Sequence, residues 1–393
     1  MSKTKKMKRN TDATWHSVSE VSFIVIGNPE NRRVTLFTDA VRRCGLPTPT
    51  VVAYSDLLTD RISLSEVVST DAVVRVDSPG ENAEVERRLI QRGSHSHEEI
   101  ETAWEPGRII HQRRWFVGFR SLLQSFAEAC PAANWMSSPQ DIPILFEKPT
   151  CSDQLAAAGV AVPRSLGVVS SFDELQALIE RTGERRLFLK LPWGSSASGV
   201  LAFQSNKRQM IVTTSTEMVS QDSGVELYNS LRVRRYTKPD EIRLLIDTLG
   251  EDGLHVECWI PKAGLAGKTF DLRVVTIAGE PRHMVMRTSS SPLTNLHLGN
   301  RRGNLELLRA KMTNAAWEAM LQTCRQAAAV FPHTFCLGLD VLIHPNFRSC
   351  TVIEANAFGD LLPGVTDRGE DTYTAQITAW LSRCKTSAYP SRN

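Results

Sequence analysis

The sequence predicts a mixed chain, α/β at its start and α+β beyond, on three observations. Apolar runs at 21–27, 51–54 and 71–76 alternate with helical stretches, the mark of a small parallel sheet. A second pair of apolar runs, one ending at Lys190 and one resuming at Val200, is separated by small residues and reads as two strands joined by a loop. Near the C-terminus, Cys336-Leu337-Gly338-Leu339-Asp340-Val341-Leu342-Ile343 and Val352-Ile353-Glu354-Ala355-Asn356 flank the turn residues His344-Pro345-Asn346. They read as neighbouring antiparallel strands.

The chain has 393 residues, 41% of them hydrophobic, and a net charge of +3, enough for two or three structural units with a sizeable core. Much of the positive charge sits in residues 1–20, where Lys3, Lys5, Lys6, Lys8 and Arg9 lie among Ser, Thr and Asn. This tail is expected to be solvated and disordered, because no aromatic residue is interleaved with its cations. No run approaches the ~18 apolar residues of a spanning helix, and the N-terminus lacks the apolar stretch of a signal peptide. The cysteines include no Cys-x-x-Cys pair. A cytoplasmic enzyme is expected, with neither a membrane nor a nucleic-acid partner.

An N-terminal α/β unit is placed at 21–147. Its first strand leads to a helix with Val34, Phe37 and Val41 on one face, closed by Gly45 and Pro47. The turn Gly27-Asn28-Pro29-Glu30-Asn31 puts a helix N-terminus where an anion could bind, but Gly-x-Gly-x-x-Gly is absent and no dinucleotide site is expected. His111 to Phe119 mixes cations and aromatics. Two readings stay open there: guanidinium forks for a carboxylate, or the start of a helix with Trp115 and Phe119 in the core and its arginines exposed. His95 and His97 are expected in solvent, and no His-x-x-x-His spacing supports zinc. Further units are placed at 148–250 and 251–386. They should contain a helix after Pro239, one long helix from Leu305 through Val330, and a last helix after Gly369 that turns Tyr373, Ile377, Trp380 and Leu381 inward.

The C-terminal strand pair carries chemistry. Folding it about Phe347 brings Asp340 opposite Glu354, and Asn356 shares the face of Glu354 because strand side chains repeat every second residue. A solvated sheet edge is one reading of that cluster. The other is a site for hard Mg²⁺, which needs oxygen ligands with room left for water and phosphate oxygens. In the upstream loop, Pro192-Trp193-Gly194-Ser195-Ser196-Ala197-Ser198-Gly199-Val200, backbone N–H groups can turn toward phosphate oxygens while Lys190 supplies a point charge. The loop also suits an ordinary turn, and it is not a Walker loop, since Gly-Lys-Ser/Thr does not occur.

Taken together from Lys148 to Asn356, these features resemble the ATP-grasp superfamily, in which ATP is held between two α+β subdomains and a carboxylate is activated as an acyl phosphate. Phe146-Glu147-Lys148-Pro149-Thr150, followed by the Leu155, Gly159 and Pro163 pattern, looks like the segment carrying the first nucleotide-contacting lysine, Lys148; Lys190 looks like the second. The resemblance implies phosphate contacts from Gly194, Ser195, Ser196, Ser198 and Gly199. It implies an adenine hinge at Glu257, Cys258, Trp259 and Ile260, with Trp259 covering the ring. Phe270-Asp271-Leu272-Arg273-Val274 is similar to the Asp-x-Arg strand of the ribosomal-protein glutamyl ligases and glutathione synthetase-like ligases. Asp271 and Asn295 are thereby assigned to the nucleotide, Arg287 to the acyl transfer, and Asp340, Glu354 and Asn356 to magnesium. Arg273, on the face of Asp271, suits a substrate carboxylate, and Asp360 is near enough to Asn356 to meet the acceptor.

The implied activity is an ATP-dependent carboxylate–amine or carboxylate–thiol ligase using ATP and two Mg²⁺. It would join a small-molecule or peptide carboxylate to an acceptor and release ADP and phosphate. A kinase with an alcohol acceptor and a nucleotide-binding scaffold are the alternatives.

Overall fold

The computed structural model describes residues 21–94, 105–194, 198–206, 208–222, 224–359 and 362–388, whose strands form three sheets. The basic tail, His95, His97, Ser195, Ser196 and Asp360 lie outside the described residues.

The first sheet holds β1 (Phe23–Gly27), β2 (Thr50–Ala53), β3 (Val73–Val76) and β4 (Asn134–Trp135) in the order β2-β1-β3-β4, all parallel, as the alternating pattern predicts. Its helices are α1 (Arg32–Arg43), α2 (Tyr54–Leu57), α3 (Leu64–Val67), α4 (Ala83–Arg92), α5 (Gln112–Ala129) and α6 (Asp141–Phe146). Asn31 caps α1 by accepting from the Arg33 N–H at 2.9 Å, and Val34, Phe37, Ala40 and Val41 form its buried stripe. Helices α4 and α5 cross at glycine: a Cβ on Gly118 would lie 1.9 Å from the Leu89 carbonyl oxygen, so only a bare backbone fits. In the His111–Phe119 segment, Phe116 and Phe119 are buried and Trp115 is half-buried against Phe119 and Phe146, while Arg113 is exposed and Arg114 half-buried.

The second sheet is antiparallel, order β5-β10-β6-β7-β8-β9. Its strands are β5 (Ser165–Val169), β6 (Arg186–Lys190), β7 (Leu201–Ser205), β8 (Met210–Gln221), β9 (Gly224–Tyr236) and β10 (Leu254–Cys258); α8 (Phe172–Thr182) and α9 (Pro239–Gly250) accompany them, while α7 (Lys148–Ala157) buries Cys151 and Leu155 with Val352 and Ala355 of the third sheet. Ser171 caps α8 while Glu174 reaches back to the Ser170 N–H at 2.7 Å. The expected boundary at 250/251 assigned residues 254–258 to the last unit, but their hydrogen bonds put β10 between β5 and β6 of the second sheet.

The third sheet runs β14-β13-β12-β15-β16, with β11 (Gly264–Leu265) on β12 (Lys268–Ile277). The others are β13 (Glu280–Ser289), β14 (Arg301–Arg302), β15 (Cys336–Ile343) and β16 (Cys350–Asn356). The last hairpin folds as its alternation predicts, with Asp340 opposite Glu354 and Gly338 opposite Asn356. One residue on, a bulge at Ile353 shifts the register so that Val341 meets Val352. The single helix expected over 305–330 is two, α10 (Leu305–Lys311) and α11 (Asn314–Ala329). Thr313 interrupts the apolar pattern by capping α11, its side chain accepting from the Ala316 N–H. The terminal helix α12 (Thr372–Ala388) buries Tyr373, Ile377 and Trp380 as expected. Among the described residues, no helix is long and apolar enough to cross a membrane.

Candidate functional site

The second and third sheets face each other across a cavity of about 110 Å³. On the second-sheet side, β6 buries Leu187 and Leu189 under α8 and α9, so its alternate residues Phe188 and Lys190 turn to the cavity. β10 does the same with Leu254 and Val256 inside and His255 and Glu257 on the opposite face. Lys190 Nζ lies 2.6 Å from Glu257 Oε2. Burial works against the lysine's charge, but Glu257 and Glu354 outweigh it and hold the ammonium above its ordinary value. Lys190 also donates across the gap to the carbonyl of Ile353 at 3.4 Å, the residue that the bulge inserts into β16. Beside this pair, His255 Nε2 meets Ser165 Oγ at 2.9 Å, and burial pushes its imidazole below the ordinary value.

On the third-sheet side, strand pairing sets Asp271 opposite Arg287, Arg273 opposite Asp340, and Asp340 opposite Glu354, so five charged side chains share one face. They form an alternating chain. Arg273 Nε donates to Asp340 Oδ1 at 2.6 Å, Arg287 Nη2 lies 3.0 Å from Asp340 Oδ2, and Arg287 Nε donates to Asp271 Oδ1 at 2.7 Å. Lys262 Nζ continues the chain, 3.2 Å from Asp271 Oδ2 and 2.7 Å from Thr294 Oγ1, and the Thr294 hydroxyl donates to the same carboxylate. Burial opposes the charge of Asp271, yet Arg287 and Lys262 hold its carboxyl well below the usual range. Burial opposes the charge of Arg287 too, and Asp271 and Asp340 outweigh it, raising its pKa. Lys148 Nζ sits 3.1 Å from Glu354 Oε1 and donates to the Gly194 carbonyl. Desolvation disfavours the Glu354 carboxylate, but Lys148, Lys190 and Arg273 keep its pKa lowered.

Gly338 gives this row its depth. A Cβ there would come within 3.2 Å of Arg273 Nη1 and 2.8 Å of the Gly359 carbonyl oxygen.

Of the residues named from sequence, Lys148, Lys190, Gly194, Glu257, Cys258, Ile260, Asp271, Arg287, Asn295, Asp340 and Glu354 line the cavity. Arg273, Ser198, Gly199, Trp259 and Asn356 do not. Arg273 reaches the site through Asp340, and Asn356 Nδ2 donates to the Gly338 carbonyl at 3.0 Å. Trp259 packs on the Phe188 ring at 4.9 Å under the Arg186 guanidinium, so Phe188, Ile260 and Pro163 supply the apolar walls instead. Sequence reasoning missed Lys262, Thr294 and Phe188. A signal for Lys262 exists in the alternation after β10, where Ile260 and Lys262 line the cavity and Trp259 and Pro261 do not.

The donor set fits a hard cation. Asp340 and Glu354 are carboxylates on adjacent strands at the cavity wall, at present paired with Arg273, Arg287 and Lys148, and Asn356 lies two residues beyond Glu354 with its Nδ2 already committed. Among the described residues, no three His, Cys, Asp or Glu side chains form a metal cluster by themselves.

No protein-family model and no curated protein sequence matches this chain. Solved structures do. The ATP-grasp ligase PsnB, complexed with a phosphomimetic variant of its minimal precursor, Mg and ADP, superposes with a TM-score of 0.51 at 16% identity, covering 93% of this chain and 99% of PsnB. D-cycloserine synthetase DcsG superposes with a TM-score of 0.54 at 13% identity over 92% of this chain and 99% of its own. The ADP complex of PurK, N5-carboxyaminoimidazole ribonucleotide synthetase, gives 0.53 at 11% identity over 92% and 77%. The chain has the ATP-grasp fold.

Proposed function

We propose that this protein is an ATP-dependent ligase that activates a carboxylate as an acyl phosphate and passes it to an amine or thiol, releasing ADP and phosphate. The observation that carries this reading is the meeting of Lys148, at the start of α7, and Lys190, at the end of β6, with the Asp340–Glu354 pair around a single cavity. Lys148 and Lys190 would take phosphate oxygens. Asp340, Glu354 and Asn356 would hold Mg²⁺, two ions in the full site, which when bound neutralises the phosphates and acts as a Lewis acid.

A carboxylate is a poor electrophile until an oxygen becomes a leaving group, and phosphoryl transfer provides one. The chain's own part is positioning and charge. Asp271 fixes Arg287 through Nε at 2.7 Å, leaving the rest of the guanidinium directed at Asp340 and the cavity wall, where an oxyanion would develop as the acceptor attacks. Arg273, held on Asp340 through Nε and Nη2, would exchange that fork onto the carboxylate of the acid. One structural neighbour, the macrocyclase MdnC, is bound with the precursor peptide MdnA, so peptide carboxylates belong beside small acids in any substrate screen.

Hydroxylamine intercepts acyl phosphates, and the test uses it with ATP, Mg²⁺ and pools of acids and peptides. ADP together with a hydroxamate is the expected result, and Arg287→Ala should suppress the hydroxamate with nucleotide affinity largely kept. ADP with a stable phosphate ester and no hydroxamate would establish a kinase. Neither product from any pool would favour a scaffold.

A further inference from the structure

A row of polar side chains runs across the second sheet into the cavity. His255 stands opposite Lys190 where β10 pairs with β6, and Glu257 stands opposite Ser165 where β10 pairs with β5, so alternation puts all four on one face. Lys190 and Glu257 line the cavity. His255 is fully buried and does not, while Ser165, on the edge strand, is exposed.

The contacts along this row are unequal. Glu257 Oε2 lies 2.6 Å from Lys190 Nζ, whereas Oε1 stands 3.4 Å from His255 Nδ1. On the other side of the ring, Ser165 Oγ is 2.9 Å from Nε2 and accepts from the Gly167 N–H at 3.3 Å. A bare Nδ1 would turn its lone pair on the Glu257 carboxylate, so Nδ1 carries the proton and Nε2 accepts from the Ser165 hydroxyl. Burial holds the pKa of this imidazole below its ordinary value and so keeps it neutral near pH 7. Its Nδ1 is nevertheless buried with no hydrogen-bond partner among the described residues, a condition that buried donors rarely tolerate. The acceptor that faces it, the Glu257 carboxylate, is drawn to the ammonium instead.

An anion that arrives at Lys190 must share the ammonium with Glu257, and two negative groups on one cation repel each other. A second partner for Glu257 removes that conflict. We propose that His255 is a positioning residue for Lys190, whose Nδ1–H receives the Glu257 carboxylate when an anion takes over the ammonium. The shift needed is about half an ångström, from 3.4 Å to the ~2.9 Å of an ordinary hydrogen bond. This rests on the ATP reading, in which the anion is a phosphate group, and adds to it a residue that touches no nucleotide and acts through Glu257.

Calorimetric titration of Mg-ATP and adenosine into the wild type, His255→Gln, His255→Leu and His255→Asn tests this, with His255→Gln repeated in a Glu257→Gln background. An asparagine amide nitrogen falls where Nδ1 stands and a glutamine amide nitrogen where Nε2 stands, so only His255→Asn keeps a donor for Glu257. His255→Gln and His255→Leu should each weaken Mg-ATP by roughly tenfold, the scale of one hydrogen bond to a charged group, and adenosine by less than about threefold. His255→Asn should stay within about threefold of the wild type for both ligands. In the Glu257→Gln background the His255→Gln substitution should cost Mg-ATP less than about threefold, because the carboxylate it acts through is gone. His255→Leu carries the comparison if His255→Gln does not fold. Unchanged Mg-ATP affinity in these variants, equal losses for Mg-ATP and adenosine, a loss in His255→Asn as large as in His255→Gln, or an undiminished loss in the Glu257→Gln background overturns the proposal and leaves the ATP reading standing. A wild type that binds no Mg-ATP overturns both.

Discussion

Arg75 and Asp77 form an ion pair between the first sheet and α12, with Arg75 Nε 3.3 Å from Asp77 Oδ2; Arg287 and Asp340 form one on the cavity wall at 3.0 Å. The two pairs are alike in burial, with side chains 6% and 1% exposed in the first and 6% and 8% in the second. Their surroundings differ. Phe37 and Tyr373 lie against the Arg75 guanidinium, 4.6 and 5.1 Å from its carbon, and Gln376 accepts from its Nη1 at 2.7 Å. The Arg287 chain instead borders open space on one side. Buried, paired charge therefore marks a site only where a ligand can reach it; enclosed by rings, the same chemistry docks α12 onto the first sheet.

That contrast breaks if both clusters respond in the same way to substitution. Arg75→Met strands Asp77 and should cost about 3–5 kcal/mol of stability in urea unfolding, with turnover per folded molecule unchanged. A loss below 1 kcal/mol would remove the docking role. Glu354→Gln, next in size, should lower ADP formation about a hundredfold or more while thermal unfolding stays near the wild type, since a partly exposed carboxylate is exchanged for a near-isostere. Normal turnover in that variant would sink the metal assignment. Gly338→Ala tests how far the cavity row depends on one missing side chain. The backbone oxygen of Gly359 must move, at about 1–3 kcal/mol, and Arg273 with it, so the KM for the acid should rise more than that for ATP.

The smallest effect concerns acid. Burial keeps the folded-state pKa of His255 below its unfolded value of about 6.5, so below that pH the unfolded chain takes up the proton more readily and stability falls. His255→Gln should flatten the decline in urea midpoint between pH 7.5 and pH 5.5. An unchanged slope would place the acid sensitivity elsewhere.

Much of this was legible because it is local. The period of two in 336–356 and the turn about Phe347, whose φ is +56° in the structure, were enough to set Asp340 against Glu354. The parallel first sheet followed from alternation. What stayed hidden depends on long-range register or on one capping residue. Nothing near Asp340 in sequence announces that β12 and β13 will deliver two guanidinium groups to it. The break at Thr313 hides in an apolar pattern that continues across it. The resemblance put Trp259 over the adenine, but just past the end of β10 it packs on Phe188 and the smaller Ile260 faces the cavity.

The placement of β10 between β5 and β6 bears on how the protein is made. Both neighbours leave the ribosome early, yet each keeps an unpaired edge until Leu254–Cys258 follows, after β7, β8, β9 and α9. At a synthesis rate of about 5–20 residues per second, that wait is on the order of ten seconds, long beside the microseconds to milliseconds of hairpin and helix formation. The nascent chain therefore carries two open strand edges around a vacancy that only its own later segment fits, and a chaperone or a stray strand has that interval in which to reach them first.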